Sequence, residues 1–262
     1  MKITVITIVY NDEEGILGTL ESVPISNAYF EFEIIVKDGG SSDKTIENIQ
    51  IFSEKRPITF ESEKDSGIYN AMNRAVEMAS TDSNYVIFMN SGDMFSDTAI
   101  STLKQNTKYF KEAYDVIVFP ISSVDDTGTV IPVRDMSDYT KLNRRPYVPH
   151  QSTFVKTSLI LKFKFNENYK ILADYDFFCK LLVLRKMFVN IGGEPLSIFL
   201  QGGVSSTYNK QLVFLKEQVF IQRLNFNKVY YTESLIPFLK WLLLRYGIFR
   251  LFIGKFRDWV LK

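Results

Sequence analysis

Apolar residues fall in short dense runs along the first 120 positions. Each run ends in a polar break and is followed by a stretch of helical period. The β-branched run at 3–10 predicts a strand, and 13–23 predicts the helix after it. Residues 32–37 predict a second strand, and Asp43 can cap a helix running to about Phe52. A short strand is expected at 57–61. Ser66 can cap a helix over 68–79, and 85–89, 97–114 and 116–121 continue as strand, helix and strand. Near-continuous apolar strands alternating with helices predict an α/β fold: a mostly parallel sheet covered on both faces.

The alternation weakens after residue 120. Gly128 separates two strand-like runs in a hairpin pattern, and 140–150 form a basic, proline-containing loop. A helix is expected at 174–184, a Gly202-Gly203 turn precedes 204–206, and 211–227 predict another helix. There is no internal repeat and no low-complexity tract.

Polar clusters follow three of the predicted strands, at Asn11-Asp12, at 38–42 and at 90–93. Open α/β sheets bind ligands outside the carboxyl ends of their strands, so the three clusters predict one shared crevice. The segment from Asp38 to Thr45 is not a Walker loop, because Asp43 stands where glycine should precede Lys44. No G-x-G-x-x-G follows any strand. Asp38 either ends a capping turn or opens a binding loop.

Asn70, Asn73 and Arg74 share a helix face by their spacing. Asparagine is a poor interior helix residue, so that face is either solvated or hydrogen-bonded to a ligand. Asp93 is either a capping residue or a lone carboxylate on an Mg²⁺-type ion whose remaining ligands are phosphates. Asp174 and Asp176 open a helix, where partial positive charge favours carboxylates, and one of the two is expected only to cap. His150-Gln151 follows Pro149. A lone histidine more often packs or hydrogen-bonds than catalyses.

Charge changes this picture in one respect. The chain carries 31 basic and 30 acidic residues, so no global field draws it to nucleic acid. Residues 211–262 alone hold nine Lys/Arg against three acids, which leaves 1–210 net acidic. One cysteine, Cys179, excludes a disulfide framework, and one histidine excludes a Cys/His zinc site. The N-terminus lacks a signal-peptide pattern and no apolar run reaches eighteen residues, so a cytoplasmic protein without a membrane span is expected. Aromatics reach 15%, and the tail from 235 interleaves them with Lys240, Arg245, Arg250 and Lys255. Such a tail either packs on the protein or a second subunit, or lies at an anionic membrane interface.

Taken in order, these segments resemble the family 2 glycosyltransferases, the inverting GT-A type, over about residues 1–206. The resemblance rests on Thr7-Ile8-Val9-Tyr10-Asn11, the run from Val36 to Asp43, the run from Ser62 to Tyr69, and Ala71-Met72-Asn73. It continues through Phe88-Met89-Asn90-Ser91-Gly92-Asp93, His150-Gln151-Ser152-Thr153-Phe154 and Ala173-Asp174-Tyr175-Asp176. It implies a GT-A-like, nucleotide-binding sheet flanked by helices over 1–206, and a helical, basic and aromatic C-terminal appendage over 207–262. Thr7, Val9, Tyr10 and Asp38 would hold the base and ribose of the nucleotide. Lys64, Asp65, Asn70, Asn73, Ser91 and Gly92 would complete the donor site. Asp93 matches the last acid of the DxD-type motif and would bind Mn²⁺ or Mg²⁺. Asp174 matches the catalytic base, with His150 and Gln151 on the acceptor side.

The sequence departs from the commonest family pattern at Lys37, Asn90, Gly92 and Ala173. The subgroup it resembles builds bacterial O-antigen, capsule or exopolysaccharide. A UDP-sugar donor, a lipid-diphosphate-linked saccharide acceptor and peripheral attachment to the inner face of the cell membrane are the corresponding expectations. Retention of Asp38, Asp93 and Asp174 argues against an idle nucleotide-sugar-binding protein. The acidic stretch from Tyr10 to Glu14 argues against a sugar nucleotidyltransferase, which would carry a glycine-rich basic loop there.

Overall fold

The computed structural model describes residues 1–124, 128–133, 138–146, 148–200 and 208–231, together with Ile236 and Leu239. The apolar runs form β1 (Lys2–Val9), β2 (Glu31–Asp38), β3 (Thr59–Ser62), β4 (Tyr85–Phe88), β5 (Met94–Phe95), β6 (Val116–Val118), β7 (Ile121–Val124), β8 (Val130–Val133), β9 (Thr153–Lys156), β10 (Phe188–Asn190) and β11 (Ser197–Leu200). The helices are α1 (Gly15–Ser22), α2 (Thr45–Lys55), α3 (Ile68–Glu77), α4 (Ala99–Gln105), α5 (Thr107–Lys111), α6 (Thr157–Phe163), α7 (Ala173–Val183) and α8 (Tyr208–Phe226).

Seven strands make the main sheet in the order β10-β6-β9-β4-β1-β2-β3. All run parallel except β9, which pairs antiparallel with both β4 and β6. The chain leaves β1 for β2 and β3 on one side and then returns to β4 on the other. Order therefore reverses at β1/β4, the position where such sheets open a crevice. A smaller sheet, β5-β11-β7-β8, stands beside it, and its β7–β8 pair is the hairpin expected around Gly128.

The pleat of β1 sends Ile6 and Ile8 to one core and Val5 and Val9 to the other. The first core packs under α3, α7 and the buried Ile221 of α8. The second packs under α1, α2 and α4. Much of the aromatic excess goes into these layers. Phe110 meets Phe30, Tyr85 and Phe154 edge-on at 5.2–5.3 Å between centroids, geometry that suits the ring quadrupoles.

Three local expectations are corrected. The single helix over 97–114 is two short helices, because the Asn106 amide donates to Thr102 O at 2.8 Å and competes with the helix backbone. The strand over 116–121 is split at Pro120, which has no N–H for a ladder; β6 and β7 then enter different sheets. Ser66 does not cap α3. Gly67 occupies that position and its N–H is held by Asp65 Oδ1 at 2.8 Å.

The segment from 207 begins with a helix seated on the core. Gln218 and Gln222 are buried and donate to Arg144 O at 3.1 and 2.5 Å, and Asn225 donates to Asp176 Oδ1 at 3.3 Å. Residues 204–206 and most of the basic aromatic stretch from 235 lie outside the described residues. Among the described residues, no helix is long and apolar enough to cross a membrane.

Candidate active site

A cleft of about 1250 Å³ opens where β1 and β4 end. The loops around it are stitched to one another. Asn11 N–H donates to Ser41 Oγ, Asn11 Oδ1 accepts from Ser42 N–H, and Asp12 N–H donates to Thr45 Oγ1, at 2.8, 2.8 and 3.0 Å. Gly39 lets this corner close: a Cβ there would stand 2.9 Å from Asp65 Oδ2 and 3.4 Å from the Tyr10 ring. Tyr10 itself is 65% exposed at the rim.

After β4, three N–H groups of the 90–93 loop are taken by protein acceptors. Ser91 N–H donates to Ile8 O, Gly92 N–H to Thr19 Oγ1 and Asp93 N–H to Asn90 O, at 3.1, 2.9 and 2.9 Å. Gly92 makes the turn at φ +91°, a conformation that favours glycine. The side chains of Asn90, Ser91 and the mostly buried Asp93 line the cleft with it. Asn90 Oδ1 is buried with no hydrogen-bond partner among the described residues.

Asp174 stands in the first turn of α7. Its Oδ1 accepts from Tyr175 N–H at 2.8 Å, with the Tyr69 hydroxyl at 3.4 Å. Burial pushes the Tyr69 hydroxyl well above its ordinary pKa, and the Asp174 charge adds to this, so Tyr69 remains a donor. Asp174 Oδ2 lies 3.0 Å from His150 Nδ1, and His150 Nε2 lies 3.1 Å from Asn90 Nδ2. Nδ1–H donating to Asp174 and Nε2 accepting from the Asn90 NH₂ gives each ring nitrogen a partner; that hydrogen-bond set assigns the tautomer. A continuous chain thus joins the β4 loop to Asp174 across the cleft. Asp176, two residues on, is buried and pairs with Lys180 at 2.5 Å and with Asn225.

The cleft brings together Val9, Tyr10, Asp65, Ser91, Gly92, Asp93, His150, Gln151 and Asp174 from the residues singled out in the sequence. Thr7, Asp38, Lys64, Asn70 and Asn73 do not line it. Thr7 is fully buried in β1, and Lys64 is exposed. Asn73 donates to Phe165 O and Glu167 Oε1, accepts from Phe165 N–H, and with Asn70 pins the 165–167 segment onto α3. Arg74, on the same face, pairs with Glu61 and Glu63. The two unusual helix asparagines thus have protein partners. Lys37, where the family commonly has an acid, is buried and donates to Asp38 O and Glu63 O at 2.8 and 2.6 Å, closing β2 onto β3.

Asp38 holds its own loop. It is fully buried, and its carboxylate accepts from Gly40 N–H, Ser41 N–H and Ser62 Oγ at 2.9, 3.0 and 2.6 Å, and from Ser41 Oγ. Burial alone would raise its pKa, and the bonds from Ser41, Ser62 and Gly40 outweigh that and hold it below the usual value. A lowered folded pKa means this stabilisation is complete above the unfolded value near 3.9 and is lost as pH falls through the folded one. Asp38→Asn can keep an oxygen toward Gly40 N–H, Ser41 N–H and Ser62 Oγ, but it removes the charge from these bonds and sets an NH₂ against the Ser41 hydroxyl, and is expected to cost about 1–3 kcal/mol at pH 7. Urea unfolding of both proteins should show the gap shrinking below about pH 4. A gap that stays constant with pH would contradict the assignment.

Asp12, from the cluster expected at the crevice but given no role of its own, lines the cleft, and so do Glu14, Tyr69, Lys170 and Phe199, none of which has a role in the sequence pattern. Asp12 accepts from Ser91 Oγ at 2.6 Å and from Gly15 N–H at 3.1 Å. The acidic cluster after β1 was a signal for Asp12. Nothing local marks Lys170 or Phe199.

A mostly parallel sheet with a carboxylate-lined cleft at its strand-order reversal is the architecture of GT-A glycosyltransferases. The S. aureus TarS 1–349 structure with UDP-GlcNAc superposes with a TM-score of 0.67 at 20% identity, over 86% of this chain and 67% of that one. Residues 4–188 match the glycosyl transferase family 2 model, and the chain belongs to that family. An uncharacterized glycosyltransferase of Mycobacterium tuberculosis is 30% identical over 201 residues, which are 75% of this chain and 71% of the relative. The poly-beta-1,6-N-acetyl-D-glucosamine synthase of Staphylococcus epidermidis is 36% identical over 104 residues, 38% of this chain and 24% of the synthase.

Proposed function

We propose that this chain is an inverting transferase that moves a sugar from a UDP-sugar to a hydroxyl of a saccharide acceptor in bacterial surface-polysaccharide assembly. The observation that carries the reading is the juxtaposition of Asp174, through His150 and Asn90, with the loop bearing Asp93 on one cleft. TarS was solved with UDP-GlcNAc and the Staphylococcus epidermidis relative is named for a polysaccharide, which supports the donor and the pathway class.

The chemistry follows from one in-line displacement. The acceptor hydroxyl is a weak nucleophile, so a carboxylate must take its proton as the oxygen attacks the anomeric carbon. Asp174 is that base. His150 and Tyr175 N–H hold its two oxygens in place. The bond from the anomeric carbon to the diphosphate breaks as the new glycosidic bond forms, so an α-linked donor yields a β-linked product.

The family implies a divalent cation, Mn²⁺ or Mg²⁺, and the charge of the cleft fits one. Asp12, Glu14, Asp65, Asp93 and Asp174 line it against one lysine, Lys170. A diphosphate entering among five carboxylates needs a counter-cation, and an all-oxygen donor set suits a hard ion. Among the described residues no group of three His/Cys/Asp/Glu could hold a metal unaided, so the diphosphate would supply much of the coordination. Asp93 and the unpartnered Asn90 Oδ1 are the protein groups for it. When bound, the ion neutralises charge developing on the departing diphosphate.

A thermal-shift panel of nucleotide sugars with Mn²⁺, followed by a transfer assay, tests the reading. UDP-sugars are expected to stabilise the protein, and a panel with no stabilising member would overturn it. The acceptor is proposed to be lipid-diphosphate-linked, with the basic aromatic tail on anionic lipid. The full chain is expected to float with anionic liposomes and a chain ending at residue 230 to remain behind. Equal flotation would reject tail attachment.

A further inference from the structure

The family match ends at residue 188, so it assigns nothing to α8. Glu217, on the inner side of α8, reaches the loop leading into Asp174. Its Oε1 accepts from Lys170 N–H at 2.7 Å, and its Oε2 accepts from Leu172 N–H at 2.9 Å and Ile171 N–H at 3.1 Å. Three successive peptide N–H groups converge on one carboxylate. From the other side the Tyr69 hydroxyl donates to Ile171 O at 2.5 Å. Ile171 is therefore gripped through its N–H and its C=O by two different helices.

This loop is the approach to α7. Leu172 is the residue before the helix, makes no side-chain cap, and accepts Asp176 N–H at 3.0 Å with its carbonyl. The first turn of a helix gathers unpaired N–H groups that a local side chain ordinarily satisfies. Of the three N–H groups on Glu217, only that of Leu172 belongs to this helix end; those of Lys170 and Ile171 lie just before it, and all three take an acceptor from 45–47 residues away. Asp174 follows Leu172 by two residues, and Lys170 and Ile171 line the same cleft wall. The placement of this loop therefore sets where the Asp174 carboxylate points.

We propose that Glu217 is a positioning residue for the transfer reaction: by clamping 170–172 it aims Asp174 at the acceptor hydroxyl. The inference rests on the reading of Asp174 as the base. Its effect should appear in turnover more than in donor affinity, because Val9, Tyr10, Asp65, Ser91, Gly92 and Asp93 make no bond to the clamp, and of the cleft's charged groups only the Lys170 backbone does. Small misplacement of a catalytic group is costly, so Glu217→Ala is expected to lower kcat about 10- to 100-fold with the donor KM within about twofold. Glu217→Gln keeps one acceptor oxygen and should fall between parent and Glu217→Ala. Gln222→Leu removes a different α8 anchor, the bond to Arg144 O, and is expected to lower Tm while keeping kcat.

The experiment measures kcat, donor KM and Tm for parent, Asp174→Asn, Glu217→Ala, Glu217→Gln and Gln222→Leu. An inactive parent, or an active Asp174→Asn, overturns the underlying reading and this inference with it. With the parent active and Asp174→Asn inactive, three results overturn the inference alone. These are parental kcat in Glu217→Ala, a loss confined to KM, or the same kcat loss in Gln222→Leu. If Glu217→Ala does not fold, Glu217→Gln against Gln222→Leu decides the matter by the same criteria.

Discussion

Asp174→Asn is expected to lower the rate of sugar transfer by about 10²–10⁴-fold, the range for loss of a general base, with nucleotide-sugar affinity nearly unchanged. The substitution is almost isosteric. The amide can still accept from Tyr175 N–H through its oxygen, but it cannot take a proton from the acceptor. Where Oδ2 now accepts from His150 Nδ1–H at 3.0 Å, an NH₂ would instead meet a donor. That conflict predicts a change of tautomer or a rotation of His150, which NMR of the lone imidazole would report directly. Single-turnover transfer measured beside calorimetric titration with UDP-sugar separates the two effects. Transfer at the parental rate in the folded variant would remove Asp174 from the mechanism.

Asp93→Ala is expected to erase the difference between nucleotide titrations done with and without Mn²⁺, and to lower kcat/KM by about 10²–10³-fold, as when one transition-state electrostatic contact is lost. Asp93 is 8% exposed, and the turn that carries it is held by backbone N–H bonds from Ser91, Gly92 and Asp93. The expected defect is therefore in binding and turnover. Four other acids still line the cleft, and without a counter-cation they repel a diphosphate. An Mn²⁺ effect on UDP affinity that survives intact in Asp93→Ala would place the ion elsewhere. Asp12→Ala is the next variant to measure, because Asp12 lines the same cleft and accepts from Ser91 Oγ.

Much of the site was legible because GT-A chemistry sits on loops that directly follow strands. A strand such as β1 or β4 announces itself by an apolar run, and the polar residues that end it lie at the sheet's carboxyl edge by construction. Asp93, Ser91 and Tyr10 could be located that way. Asp174 and Asp176 could not be told apart, since both acids suit the first turn of a helix. Packing separates them: Asp174 opens onto the cleft and Asp176 is sealed against Lys180 and α8. Asn70 and Asn73 stood out because asparagine is costly in a helix, but that cost does not reveal the partner, which is a segment about ninety residues away.

Hydrophobic period and local turn chemistry suffice for the alternation of strand and helix, the parallel sheet and the three polar strand ends, all of which can be read along the chain. Family membership was readable for the same reason, since its motifs occupy those strand ends. Which side chains face one another across the crevice is set by long-range packing. The antiparallel insertion of β9 between β4 and β6 belongs to that level, as do the link from Asn90 through His150 to Asp174 and the seating of α8 with Glu217 on the 170–172 loop. Each of these joins residues tens of positions apart. Their meeting is fixed by burial and by the pairing of peptide groups that folding removes from water, and neither is encoded in any local pattern.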